Sequence, residues 1–456
     1  MYSNIYCSRK WFRNVRSIAC LMLVLVAPAA AQQASPETLQ KIFDRLDSLE
    51  RQNQELLTEI HALRDALKSN SGQPAAQNPQ VEEQVNINTE RIKEQATTKV
   101  ESFQRFPLSL TGMFLFDSFL GTPQNSSFAL ATYDPYGSNG GGGGATLRQS
   151  IIGLDFRGPA LPGGGKISGS LSLDFFAPSG DNDVLRIRRG VLSFDWSRRS
   201  ITVGQDKSLI APLQPISFAR VGIPPLANAG NLWLWRPQIR YEERLPLSGR
   251  TQAALQIALL ETDESYSVVP QSTSLYATPP RPAIQARAEV RHHWTEQSRV
   301  AIGFGFHESS SHILGQSAKS QVFSTDFLYK PFSKIELSGT LLRGENFANL
   351  GGASPGISVS TAGMVIPIRG AAGWLQLSFP LTSRLTLDAY AGRQLNNRHD
   401  LISYNVERTL TYAGNALYRV APNVVLGFEA SRFEFEYLNL QQFFTNRYDA
   451  TFAYLF

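Results

Sequence analysis

The sequence predicts an all-β fold, a sixteen-stranded antiparallel transmembrane β-barrel, preceded by an N-terminal α-helical coiled coil. Three observations predict it. An export signal opens the chain, residues 106–456 hold about sixteen short segments of alternating apolar and polar residues, and their connections are brief and long by turns. Alternation at period two sends apolar side chains to one face of a strand and polar ones to the other. Lipid accepts such strands only in a closed sheet that pairs every backbone group.

At the start, Arg9, Lys10, Arg13 and Arg16 precede the apolar run Ile18–Ala31, and Ala29-Ala30-Ala31 before Gln32 is a small-residue cleavage site. Residues 1–31 therefore read as a secretory signal peptide; as an anchor the run is too short and lacks a stop-transfer flank. Cys20 has no lipoprotein context, because Ser17 stands where an aliphatic residue is expected. Cys7 and Cys20 both fall inside this segment, so the mature chain is expected to hold no disulfide and no Cys metal site. Loss of the four signal cations takes the formal net charge from +5 to +1, and no nucleic-acid partner is implied.

A stalk follows over residues 32–68. Ser35-Pro36-Glu37 opens a helix by capping chemistry. Leu39, Ile42, Leu46, Leu49, Asn53, Leu56, Ile60, Leu63 and Leu67 then recur at alternating three- and four-residue spacing, the core of a coiled coil with one polar a position. The alternative is one amphipathic helix lying on a globular domain; a sustained 3.5-residue period with no helical neighbour favours self-association. Residues 69–105 supply a Pro- and Gly-containing linker and a short second helix around Val85 and Ile92.

From residue 106 to 456 the clearest strands set Val300, Ile302, Phe304 and Phe306 against Ala301, Gly303, Gly305 and His307, and Ile284, Ala286, Ala288 and Val290 against Gln285, Arg287, Glu289 and Arg291. The last strand, Tyr448 to Phe456, ends the chain on an aromatic residue. Brief turns (Ser197–Arg199, Thr295–Ser298, Pro331–Ser333) alternate with long loops, among them Gly121–Ala145, Leu209–Asn231 and Phe347–Gly370. Trp196, Trp294, Tyr329, Tyr418, Phe443 and Phe456 fit interfacial girdles. A soluble β-sandwich or β-helix is the rival, with the apolar face inside. One irregularity stands out: the alternation of Leu185–Trp196 slips after Arg189, as a bulge or a subunit contact would make it.

The functional reading centres on Leu185–Tyr241. Arg186, Arg188, Arg236, Gln238 and Arg240 alternate with apolar residues on two strands, and the long loop between them is placed to narrow a lumen. A pore selects by width and by fixed charge in a low-dielectric channel. Arg148, Arg186, Arg188, Lys207, Arg220, Arg236, Arg240, Arg287 and Arg291 are the candidate pore-lining, anion-binding residues. Arginine suits the task because its planar fork meets a carboxylate in two contacts. The plainer reading pairs each with a nearby acid such as Asp206, Glu242 or Glu289.

Other motifs fail on context. Gly352-Ala353-Ser354-Pro355-Gly356 fits the nucleophile-elbow pattern but no strand–helix unit surrounds it, and Gly140–Gly144 lacks the Lys-Ser/Thr of a phosphate loop. His292 and His293 point to opposite faces of a strand, while His307, His312 and His399 sit in or near loops without a ligand set. Neither a metal nor a cofactor is expected.

The coil Leu39–Leu67, the Leu185-Arg-Ile-Arg-Arg-Gly strand, Val203-Gly204-Gln205, Arg236-Pro237-Gln238-Ile239-Arg240-Tyr241 and the closing Phe456 resemble the trimeric, dicarboxylate-specific outer-membrane porins of the DcaP group. The resemblance implies a sixteen-stranded barrel per subunit, three subunits, a periplasmic N-terminal coil, and a basic eyelet passing organic anions beside an inward-folded Leu209–Asn231. That loop departs from expectation in being apolar (Ile210, Leu213, Ile216, Phe218, Ile223, Leu226), with Arg220 its only charge. The expected function is passive diffusion of small hydrophilic, anionic, carboxylate-type solutes through the outer membrane, with the barrel-assembly machinery as a partner through Phe456. The alternatives are a porin for phosphate or other anions, a structural tether, and a barrel enzyme using Ser354.

Overall fold

In a computed structural model of the chain the described residues are 108–122, 141–176, 185–262, 268–269, 277–278, 282–402, 405–440 and 442–456. The expected signal peptide, coiled coil and linker all lie outside them. The chain divides into two compact units, 1–88 and 89–456, and every described residue belongs to the second.

The first strands are β1 (Leu108–Gly121), β2 (Gly142–Thr146), β3 (Ile151–Leu161), β4 (Gly165–Asp174), β5 (Arg186–Asp195), β6 (Arg199–Lys207) and β7 (Trp235–Pro246). Next come β8 (Thr251–Leu260), β9 (Val268–Val269), β10 (Ala277–Thr278), β11 (Ala283–His293), β12 (Arg299–Ile313), β13 (Gln316–Phe332) and β14 (Ile335–Glu345). The last are β15 (Ile357–Val359), β16 (Val365–Pro367), β17 (Arg369–Pro380), β18 (Leu385–Asn396), β19 (Val406–Ala421), β20 (Val424–Tyr437) and β21 (Gln442–Leu455).

Sixteen of these close a barrel: β1, β3–β8, β11–β14 and β17–β21, each antiparallel to its neighbours. Closure is made by β1, whose Leu108–Met113 pairs with β3 and whose Met113–Gly121 pairs with β21. Phe456 completes it, exchanging backbone hydrogen bonds with Gly112 at 2.9 and 3.1 Å. The short β2 extends the place of β3 along β1 beyond the bulged residues Leu147–Ser150. Beyond one end, β9, β15 and β16 form a separate small sheet that packs Val268, Ile357 and Val359 over Ile313 and Ala318.

The two faces decide between membrane barrel and soluble sandwich. Ile239, Ile257, Phe304, Phe323, Leu341 and Phe428 stand exposed on the outside, while Arg287, Glu289, Asp326, Glu429 and Asp449 are buried within. A soluble sandwich would bury the apolar set instead, so the arrangement is that of a lipid-facing barrel. Trp294, Tyr329, Tyr418 and Phe456 are exposed at the short-turn end, as girdle residues should be. Phe443 is a correction: it shares the inward parity of Thr445 and Arg447, and Phe444 takes the outer position.

The slip after Arg189 also has its cause. The β4–β5 register shifts between Ser172 and Leu173, an extra residue that turns both Arg188 and Arg189 toward the lumen. His307 is corrected as well, since it lies well inside β12, buried, with Nδ1 3.0 Å from Gln285 Nε2, whereas His312 stands beside the Leu314–Gly315 turn.

Candidate functional site

The segment 208–234, between β6 and β7, folds into the barrel. A chain crossing a lumen without a sheet of its own must still place its backbone N–H and C=O groups, and inward side chains of distant strands supply them. Leu209 N donates to Gln285 Oε1 (2.8 Å), Ile216 N to Gln376 Oε1 (2.8 Å), and Val221 N and Gly222 N both to Gln149 Oε1 (2.8 Å). Asn415 Nδ2 donates to Ile216 O (3.0 Å), and Ser217 Oγ to Glu429 Oε2 (2.5 Å).

Its apolar composition now has a reason. Ile210, Ala211 and Leu232 pack on Leu260, Ala283, Val322 and Leu342; Leu226 and Ala229 pack on Trp374, Tyr390 and Ala413. Phe218 and Val221 pack on Met113, Leu115 and Val425. The lumen wall therefore meets the loop with apolar patches set among the polar side chains that hold its backbone. Two glycines permit the approach. Gly230 has φ +97° and abuts the backbone of Gly373, and a Cβ on Gly392 would stand 2.1 Å from Ala229 O.

A second inward segment, 346–353, joins the first. Asn349 Nδ2 reaches Ser320 Oγ (3.1 Å), Ala353 N donates to Gln394 Oε1 (2.9 Å), and Leu234 N donates to Leu350 O (3.3 Å). Ser354 lies just beyond, exposed on this loop rather than at a strand–helix turn.

The candidate cations divide into groups. Arg186 and Arg188 share the buried carboxylate of Asp174 (2.6 and 3.0 Å) and donate to Gly222 O (2.5 Å) and Val221 O (2.7 Å). Both guanidinium groups lie over Trp235, at 5.4 and 4.7 Å. They clamp the loop to the wall. Arg236 donates to Asn349 O (2.9 Å) and ties the second segment. Arg220 lies over Phe433 at 4.2 Å, with Nε and Nη2 buried and unbonded among the described residues. Burial lowers its pKa, opposed by Tyr390, Glu429 and Asp449. Arg148 lies over the buried ring of Phe176 at 5.5 Å, the ring that Arg186 also approaches at 5.6 Å, and borders a hollow with Phe114, Phe116 and Phe456.

Lys207, Arg240, Arg287 and Arg291 come together on one cavity of about 720 Å³ between the loop and the walls of β5–β8 and β11–β13. Beside Arg220 lies a smaller cavity of about 80 Å³. Arg189 and Arg299 also line the larger cavity, and the acids there are Asp206, Glu289 and Asp326. Six cations less three acids leaves a formal +3. Arg287 is buried between Asp326 (2.7 Å) and Glu289 (2.5 Å), and Arg291 pairs with Glu289. Arg240 is 3.9 Å from Asp206, which also accepts from Arg189 at 3.1 Å. Lys207 makes no side-chain hydrogen bond or ion pair among the described residues, which leaves its charge to the cavity. Sequence reading missed Arg189, Arg299 and Arg447; the slip in alternation was the signal for the first. Arg447 is buried against Asp449 (2.7 Å) and Asp117 (3.5 Å), behind the loop. No cluster of metal-ligating residues occurs among the described residues.

No protein-family profile matches the sequence and no curated protein matches it. Solved structures do. The outer-membrane channel DcaP of Acinetobacter baumannii superposes with a TM-score of 0.63 at 17% identity, over 76% of this chain and 97% of that one. An anion-selective porin from Comamonas acidovorans gives 0.50 at 13% identity, over 76% and 99%. Salmonella typhi OmpF gives 0.51 at 10% identity, over 76% and 97%. The chain has the closed-barrel fold of these outer-membrane proteins.

Proposed function

From the fold of a DcaP-like porin, we propose that this protein is an outer-membrane porin through which small hydrophilic solutes diffuse passively, with anions of carboxylate type preferred. Short turns then face the periplasm and long loops the exterior. Residues 1–31 are the export signal, 32–68 a periplasmic coiled-coil stalk, and 69–105 the bridge to the barrel. Three copies assemble, and Phe456 addresses the chain to the barrel-assembly machinery.

One observation carries the anion preference: the wider passage beside the loop is walled by an excess of cations, +3 in formal charge. Cations fixed around a narrow wet channel raise the local concentration of anions and exclude cations. Lys207 is the one whose charge no carboxylate holds. Transit requires weak contacts, and a wall of arginines already engaged with acids offers attraction without a tight site.

Planar-bilayer recordings under a salt gradient test this. The reversal potential is expected to take the sign of anion preference, and short dicarboxylates are expected to block chloride current at lower concentration than phosphate does. A cation-selective reversal potential would reject the reading; stronger block by phosphate would assign the pore to phosphate instead.

A further inference from the structure

The outer face of the barrel carries a row of six cations along one sector. At the long-loop ends of six adjacent strands stand Lys319 (β13), Arg343 (β14), Arg369 (β17), Arg393 (β18), Arg408 (β19) and Arg432 (β20). Their side is fixed by neighbours. Phe323, Leu341, Leu375, Leu395 and Tyr412 share their face and are exposed, whereas Val322, Leu342, Gln394, Thr409 and Phe433 are buried toward the lumen. The cations thus form a belt along the long-loop part of an apolar face, with Leu395 and the acids Glu345, Glu434 and Glu436 among them. Across β5–β8 the matching outer positions are Ile187, Val203, Ile239 and Leu259, apolar and without a cation, with Gln205 and Glu261 beyond them.

Half of the belt is engaged. Arg369 grips Asp400 through Nε and Nη2 (2.8 and 2.7 Å) and holds its carboxyl below the usual range; Arg432 binds Glu434 (2.8 Å), and Arg408 binds Glu436. Lys319, Arg343 and Arg393 make no hydrogen bond or ion pair among the described residues. Arg393 and Arg408 border a recess of about 270 Å³ whose other charged lining residues are Glu434 and Glu436. Cations that sit at the boundary of an apolar band are placed to meet anionic headgroups, with their aliphatic stems on the apolar surface. Arginine forks add two-point contacts to phosphate.

Resting on the porin reading, which sets this edge in the outer leaflet, we propose that the face of β13–β20 binds a phosphorylated lipid of that leaflet. Its phosphates lie on Lys319, Arg343 and Arg393, and its acyl chains lie on the apolar band below. The sector β5–β8, which lacks the belt, is left for contacts between copies.

The test uses the full chain in phosphatidylcholine nanodiscs doped with a labelled, doubly phosphorylated glucosamine-disaccharide lipid. Wild-type protein is expected to retain at least about tenfold more probe than the K319Q/R343Q/R393Q variant. The dephosphorylated lipid is not retained, and millimolar inorganic phosphate leaves retention in place. Equal retention by wild type and variant overturns the proposal, and complete displacement by inorganic phosphate shows a simple anion site instead of a lipid site. A variant that falls apart into single subunits would assign this face to a second copy. Conductance separates the two readings: a wild-type protein that conducts but retains no probe defeats the lipid proposal alone, and one that does not conduct defeats the porin reading.

Discussion

Lys207 and Asp206 are adjacent in sequence, but only the carboxylate is fully occupied. Asp206 answers to Arg189 and Arg240, while the Lys207 ammonium faces the cavity. A unit charge 4 Å from a solute in water is worth about 1 kcal/mol, so Lys207→Gln should lower the anion-to-cation permeability ratio by about fivefold. Asp206→Asn should raise it. Reversal potentials in dilute salt would measure both, and the differences should shrink as salt screens the wall. No change in Lys207→Gln would show that current passes elsewhere. At this scale the sequence was partly legible. Two-residue spacing put Arg236, Gln238 and Arg240 on one face of β7, as observed. The clamp made by Arg186 and Arg188 was not legible, because its partners are Asp174 and two loop carbonyls that no periodicity brings near.

Among the elements, the loop 208–234 divides the lumen, with a cavity of about 720 Å³ beside Lys207 and one of about 80 Å³ beside Arg220. It is held by packing as much as by hydrogen bonds, and the packing depends on close approach at Gly392. A leucine there would point at Ala229 O and push the loop off the β17–β19 wall. Gly392→Leu is therefore expected to change the single-channel conductance and broaden its distribution while the barrel still forms, seen as heat-modifiable migration on a gel. Wild-type conductance in a folded variant would mean that the loop does not rest on that wall in the membrane. The loop's existence was readable from its length and Pro content. Its destination was not, because an apolar loop calls for an apolar lumen wall, and alternation in β17 and β18 gives no warning that Trp374 and Tyr390 are the inward residues meeting it.

For the molecule as a whole, the outer surface is divided in a way that a single barrel in lipid does not require. Lipid contacts every strand alike, yet cations crown β13–β20 while Ile187, Val203, Ile239 and Leu259 hold the matching outer positions on β5–β8. A second copy covering the β5–β8 sector accounts for the difference, because apolar side chains at headgroup height are removed from water only if protein lies over them. The paired substitution Ile187→Arg with Ile239→Arg should then convert the proposed trimer into single subunits in native mass spectrometry. The K319Q/R343Q/R393Q variant should stay assembled. Trimers that survive both arginines would move the interface off these strands. The same division explains why the strands around Leu185–Tyr241 carry such demands. Their inner face holds Arg188, Arg189, Asp206 and Arg240, and their outer face is left with Ile187, Val203 and Ile239, so on the proposed reading one short stretch of barrel serves the passage within and the neighbouring copy without.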